Sequence, residues 1–216
     1  MTQSRSPSGA VLPLLTGVAA LLGASASLAD TRLPTIPPAQ YSAEQKDAAQ
    51  QFLEARKTPV FGPFEPLMYS PQLMTLSRMM GDYLRYKPSI GTKLSELAIL
   101  VTARSWNQDY EWYVHQPVAI KVGISQAITD AIAHGIPPTG LDEDQTLVYT
   151  FATEINRERV VSDATYAAAE KRFGRQGVVD LTGICGYYTL LAMELNMARY
   201  PLPADGKPLP PLVAGR

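Results

Sequence analysis

A series of helix-start signals punctuates this chain and leaves little room for any element other than a helix. Ser42-Ala43-Glu44-Gln45 has the form of a capping box, in which serine and glutamine side chains each satisfy the other residue's backbone amide. Ser70-Pro71 pairs an N-cap residue with proline at the first helical position, where a missing N–H costs nothing. Ser125, Asp142 and Ser162 each stand ahead of a helical stretch. Gly123, Gly135 and Gly174 fall where such stretches end. The spacing predicts helices over about 42–57, 70–86, 94–106, 108–122, 125–135, 142–158, 162–173 and 176–199. No Asn-Gly hairpin and no sustained period-two alternation is present, so no strand is expected.

The expected fold is an all-α, single-domain helical bundle around a central antiparallel helical hairpin, 94–106 against 108–122. With 216 residues, 46% of them hydrophobic and 18% charged, the chain suits one domain with a real core. The formal net charge of -1 supplies no basic field for nucleic acid or an anionic membrane surface. The sequence carries neither GxxxxGK nor GxGxxG. The apolar run 10–29 ends in small residues, with Ser27 and Ala29 at the -3 and -1 places before Asp30. Residues 1–29 therefore read as a signal peptide, which implies export, in a bacterium to the periplasm, with no stable membrane insertion after cleavage. Residues 30–69 read as a proline-rich arm and one helix, 70–206 as the helical domain, and 207–216 as a proline-rich tail. Cys185 is the only cysteine and sits in an apolar helical stretch, the setting of an inert small hydrophobe.

Chemistry concentrates in "SWNQDYEWYVHQPVA" (105–119). Glu111 and His115 stand at i and i+4 and share one helix face. A carboxylate against imidazole raises its basicity, while neighbouring aromatics push the carboxyl toward neutrality, and such a pair exchanges protons near pH 7. Glu96 lies on the preceding helix and approaches His115 if the two helices form a hairpin. The plainer alternative is a solvated Glu–His pair, worth a few tenths of a kcal/mol. Tyr110, Trp112 and Trp106 are the candidate pocket aromatics. His134, before Gly135, reads as a helix C-terminal residue favoured by the dipole. No second histidine is placed to complete a metal site, so neither metal nor cofactor is expected.

"SELAILVTARSWNQDYEWYVHQPVAIKVGIS", with "LDEDQTLVYTFATEI", "VSDATYAAAEKRFG" and "VVDLTGICGYYTLLAMELN" followed by "PLP", resembles the carboxymuconolactone decarboxylase family, which includes the alkylhydroperoxidase D group. The resemblance spans about 70–206. It implies a helical-hairpin fold, assembly into homo-oligomers (trimers or hexamers) and sites near subunit contacts. Glu96 and His115 match the Glu and His of the peroxidase motif, but its two cysteine places hold Gln108 and Glu111. Thiol peroxidase chemistry by that route is excluded, because the attacking group is a thiolate. The decarboxylase branch implies a carbon–carbon lyase that protonates a dienolate after CO2 loss from a small carboxylated or lactone-type compound. By that likeness His115 is the general acid/base, Glu111 its orienting partner and Glu96 a second carboxyl. Arg104 either holds a substrate carboxylate or, as Arg does more often, forms a salt bridge inside the hairpin. The competing expectation is a non-catalytic oligomeric small-molecule binder of the same fold.

Overall fold

The structure is a computed structural model that describes Met1 and residues 31–212. The expected signal segment, Met1 apart, lies outside the described residues. Eight α-helices follow one another: α1 Ala43–Arg56, α2 Phe64–Leu67, α3 Pro71–Tyr86, α4 Thr92–Ser105, α5 Asp109–Lys121, α6 Gln126–Ala133, α7 Glu143–Arg157 and α8 Asp163–Ala198. A 3₁₀ turn, Pro38–Gln40, precedes them, and no strand occurs among the described residues. The fold is all-α, as expected.

The start signals act largely as read. Both halves of the Ser42–Gln45 capping box form, and Asp142–Gln145 forms a second. Ser125 accepts from the Ile128 amide and Ser162 from the Thr165 amide. Ser70 makes no side-chain cap, so Pro71 with its preset φ marks that start. Gly174 does not separate two helices in space. It is a single non-helical residue (φ 71, ψ 174) across which α8 runs on, so 162–173 and 176–199 are two arms of one bent rod. α2 was not anticipated, because Pro63, Pro66 and Gly62 break every period there. One helical turn tolerates Pro66, since early amides have no helical partner in any case.

Helix α4 sets the interior. Every residue from Leu94 to Arg104 is buried, and α5, α7 and α8 pack around it, with α3 and α6 at its flanks. A helix enclosed on all sides must be apolar nearly all round, and Leu97, Ala98, Ile99, Leu100 and Val101 meet that demand. Glu96, Thr102 and Arg104 are buried with them. Ala48, Phe52, Phe64, Leu67 and Met68, which precede α3, belong to the same core. Phe52 meets Phe64 edge-to-face at 5.0 Å and Phe61 at 5.7 Å. Asp180 of α8 locks the α3–α4 turn by accepting from the Ser89 amide (2.8 Å), the Ser89 hydroxyl (2.6 Å) and the Tyr83 hydroxyl (3.0 Å).

Both proline-rich ends fasten back onto the bundle. Arg32 N–H donates to the Ala198 carbonyl (2.8 Å), and the Leu209 amide donates to Asp109 Oδ1 (2.8 Å). Among the described residues α8 alone is long and apolar enough to cross a membrane, but 56% of its apolar window is buried within the molecule. That burial is what the core stripe of a folded domain requires.

Gly81 of α3 lets the helix lie directly on Tyr187. A Cβ there would stand 2.3 Å from the Tyr187 hydroxyl and 2.7 Å from Cζ. Helix propensity favours Gly81→Ala by about 1 kcal/mol, but overpacking a held ring costs about 1–3 kcal/mol. Gly81→Ala is therefore expected to lower Tm, and a double-mutant cycle with Tyr187→Phe to show favourable coupling.

Candidate functional site

The site forms where the hairpin brings the second turns of α4 and α5 together. Residues 106–108 reverse the chain. Asn107 takes the left-handed conformation (φ 48), and Gln108, rather than Asn107 or Asp109, caps α5 by accepting from the Tyr110 amide at 2.7 Å. The same Gln108 side chain donates to Asn196 Oδ1 of α8 (2.9 Å), fixing the turn to the bundle. One of the two places that hold cysteine in the peroxidase motif thus serves as a structural cap. The other, Glu111, lies beside His115.

The contact geometry reverses the roles expected for the two glutamates. Glu96 Oε2 lies 2.6 Å from His115 Nδ1, and both groups are buried. Glu111 Oε2 is 3.5 Å from Nε2, long for a hydrogen bond. Glu96 is therefore the residue that orients the imidazole, with Nδ1–H donating to it, and Glu111 faces the opposite ring nitrogen. Arg85 of α3 approaches the free oxygen of Glu96, Nε to Oε1 3.8 Å. Tyr188 sets its ring edge against the imidazole (centroids 4.9 Å), and Tyr187 in turn stands edge-on to Tyr188.

Burial pushes the Glu111 carboxyl above its ordinary pKa. The nearby His115 and Arg85 pull it back in part, and Glu96 adds to the rise. Glu111 Oε1 has no hydrogen-bond partner among the described residues. Glu194 of α8 repeats the pattern. Its Oε2 is buried without a partner, and burial followed by the charge of Glu111 raises its pKa to about 8. The arrangement sets a carboxyl that burial biases toward its protonated form beside an imidazole oriented by Glu96, the kind of pairing that moves a proton to and from a bound molecule.

A pocket of about 390 Å³ of empty space, including its open mouth, reaches this group between α3, α5, α8 and the 61–64 segment. Glu111 and His115 line it, together with Arg56, Arg85, Tyr110 and the Tyr187–Tyr188 pair. Arg56 is already neutralised by Asp82 (2.5 Å), which leaves Arg85 as the cation closest to the Glu–His group.

Of the expected site residues, Glu96, Glu111, His115 and Tyr110 come together. Trp112 does not reach the pocket; it is buried in the core. Trp106 is also elsewhere, donating its indole N–H to Thr189 Oγ1 (3.1 Å) and tying the end of α4 to α8. Arg104 neither lines this pocket nor forms a salt bridge to any described residue; eight residues beyond Glu96, it lies about 12 Å further along α4. Arg85, Tyr187, Tyr188 and Glu194 are additions. Arg85 reads in sequence as an ordinary basic residue in a last turn, and only the packing of α3 against α4 gives it a site position. His134 caps α6 as expected, with Nδ1 donating to the Asp130 carbonyl (2.8 Å). Burial raises the Cys185 thiol to about 11, an inert state.

No family model matches the chain, and no curated protein matches it. Among solved structures it is similar to an uncharacterized peroxidase-related protein from Silicibacter sp. TM1040, with a TM-score of 0.61 over 78% of this chain and 90% of that one. At 13% identity the likeness is one of fold alone.

A carboxyl whose pKa is raised on folding contributes stability that is complete below its unfolded value and lost as pH rises through the folded one. For Glu194 that window runs from about 4.5 to about 8. Glu194→Gln is expected to raise Tm by roughly 1–3 °C above the window, a modest shift because the group is only half-buried. Thermal melts across pH check this, with no difference expected below the window.

Proposed function

We propose that the chain is an acid/base lyase of the carboxymuconolactone decarboxylase kind, acting on a small carboxylated or lactone-type compound. The observation that carries this reading is the buried Glu96–His115–Glu111 group opening into a pocket that also holds Arg85. Arg85 binds the substrate's carboxylate side, bidentate geometry being what guanidinium offers. The bond from ring carbon to carboxylate breaks, CO2 leaves, and the electron pair remains as a dienolate. The dienolate carbon takes the proton carried by the Glu111 carboxyl, which faces His115 Nε2. Glu96 holds the ring so that Nε2 faces Glu111, and the Tyr187–Tyr188 wall keeps water from competing. A thiol route has no support, since Cys185 is buried and lies outside the pocket.

The same reading makes the protein an exported homo-oligomer, a trimer or hexamer, without metal or cofactor. Support for assembly comes from α3, which leaves Leu73, Leu76, Met79 and Met80 exposed, and from α8, which exposes Met193 and Met197. An apolar face of this extent is the kind that a second copy covers.

Release of CO2 from a panel of carboxylated lactones tests the chemistry. His115→Gln and Glu111→Gln are each expected to lower kcat by roughly 10²–10⁴-fold. With Glu111 as the acid, kcat/KM should fall as pH rises through its raised pKa, and Glu111→Gln should remove that limb. Saturable binding without CO2 release would instead favour the non-catalytic binder. Light scattering checks the assembly; a mass near that of a single mature chain would overturn it.

A further inference from the structure

A second cavity lies at the far end of α4, walled by α6, α7 and the last described residues of the tail. Its empty space is about 1080 Å³, including its open mouth. Arg104 and Arg157 line it, no aspartate or glutamate does, and Val101, Ile132, Ile136 and Leu212 give it an apolar floor. Arg104 is 7% exposed. Its Nε and Nη2 are buried and have no hydrogen-bond partner among the described residues. The neighbouring polar side chains do not answer this need. Ser105 Oγ donates to the Thr102 carbonyl, and Asn156 Nδ2 donates to Thr102 Oγ1 and the Ala152 carbonyl.

Nε and Nη2 form one edge of the guanidinium, the edge that grips a carboxylate with two parallel hydrogen bonds. Elsewhere in this molecule the same edge is filled. Arg172 uses Nε and Nη2 to hold both oxygens of Asp144, at 2.5 and 2.6 Å. In Arg104 that edge is covered by protein and has no hydrogen-bond partner among the described residues, so the charge is left unanswered within the fold, a costly state unless an anion completes it. Burial lowers the Arg104 pKa, with Asp109 offsetting only part of the effect.

We propose that this cavity is a second binding site, for a small monocarboxylate with an apolar body. The carboxylate pairs with the Arg104 guanidinium in the cavity wall, the body rests on Val101, Ile132, Ile136 and Leu212, and the exposed Arg157 at the rim draws anions in. The site is separate from the His115 pocket and stands whether or not the lyase reading holds.

Calorimetric titration of the full chain tests it, using hexanoate and benzoate, their neutral counterparts hexanol and benzyl alcohol, and inorganic phosphate as an anion without an apolar body. The acids are expected to bind about tenfold or more tighter than the alcohols and than phosphate. Arg104→Met should weaken the acids by about tenfold or more while leaving unliganded Tm unchanged or higher, because a buried unpaired charge is removed. Arg104→Lys, which keeps the charge but loses the edge, should also weaken them, and Arg157→Ala should do so by a smaller factor. His115→Gln should leave their affinity unchanged, which separates this site from the proton-transfer pocket. Equal binding of acid and alcohol, phosphate binding as tightly as hexanoate, no binding by any probe, or full affinity in either Arg104 variant would overturn the proposal.

Discussion

A carboxylate buried in the middle of the central helix is the constraint to which the rest of this molecule is fitted. Glu96 lies within α4, 1% exposed, on a helix walled in by α5, α7 and α8 and flanked by α3 and α6. A charge in that position costs several kcal/mol unless it is paired and hydrogen-bonded. The hairpin supplies His115 at 2.6 Å, and α3 supplies Arg85 at 3.8 Å. The turn at 106–108, the Gln108 cap and the Asp180 lock on the α3–α4 turn all hold those partners in place. The fold's internal electrostatics and the candidate chemistry are therefore one arrangement.

The same helix carries a second buried charge, Arg104, of opposite sign. Glu96 and Arg104 do not neutralise each other, because eight residues of helix separate them by about two turns. Glu96 is answered from within the chain, and Arg104 has no such partner among the described residues. Two cavities of different character follow, one lined by Glu111 and His115 in front of Glu96 and the other lined by Arg104 itself. One is a tight, aromatic-walled pocket around a proton-sharing group; the other is roomier, apolar and cationic.

Much of the architecture was legible in local sequence because helix starts are short-range physics. Ser42, Ser125, Asp142 and Ser162 each bond the amide three residues on, and a reader of sequence sees both partners at once. The Glu111–His115 relation was legible for the same reason, since i and i+4 are neighbours on any helix. Its ranking against Glu96 was not. Sequence spacing favours the local pair, yet hairpin packing places the distant carboxylate 2.6 Å from the ring and the local one at 3.5 Å. The aromatics show the same limit. Trp106 and Trp112 flank the motif in sequence but point to α8 and the core, while Tyr187 and Tyr188, more than seventy residues away, form the wall.

By itself the sequence determined where the capped helices begin, that they bury an apolar interior, and which short segment concentrates ionisable and aromatic groups. These properties rest on amide capping and on periods of a few residues, which act over one turn. Tertiary structure alone decided which carboxylate holds His115, that Arg85 joins the site, that Arg104 faces a different cavity, and that the two arms about Gly174 form one bent helix. Those outcomes depend on how helices cross, on the direction each side chain takes from its backbone, and on which charge can find a partner once water is excluded.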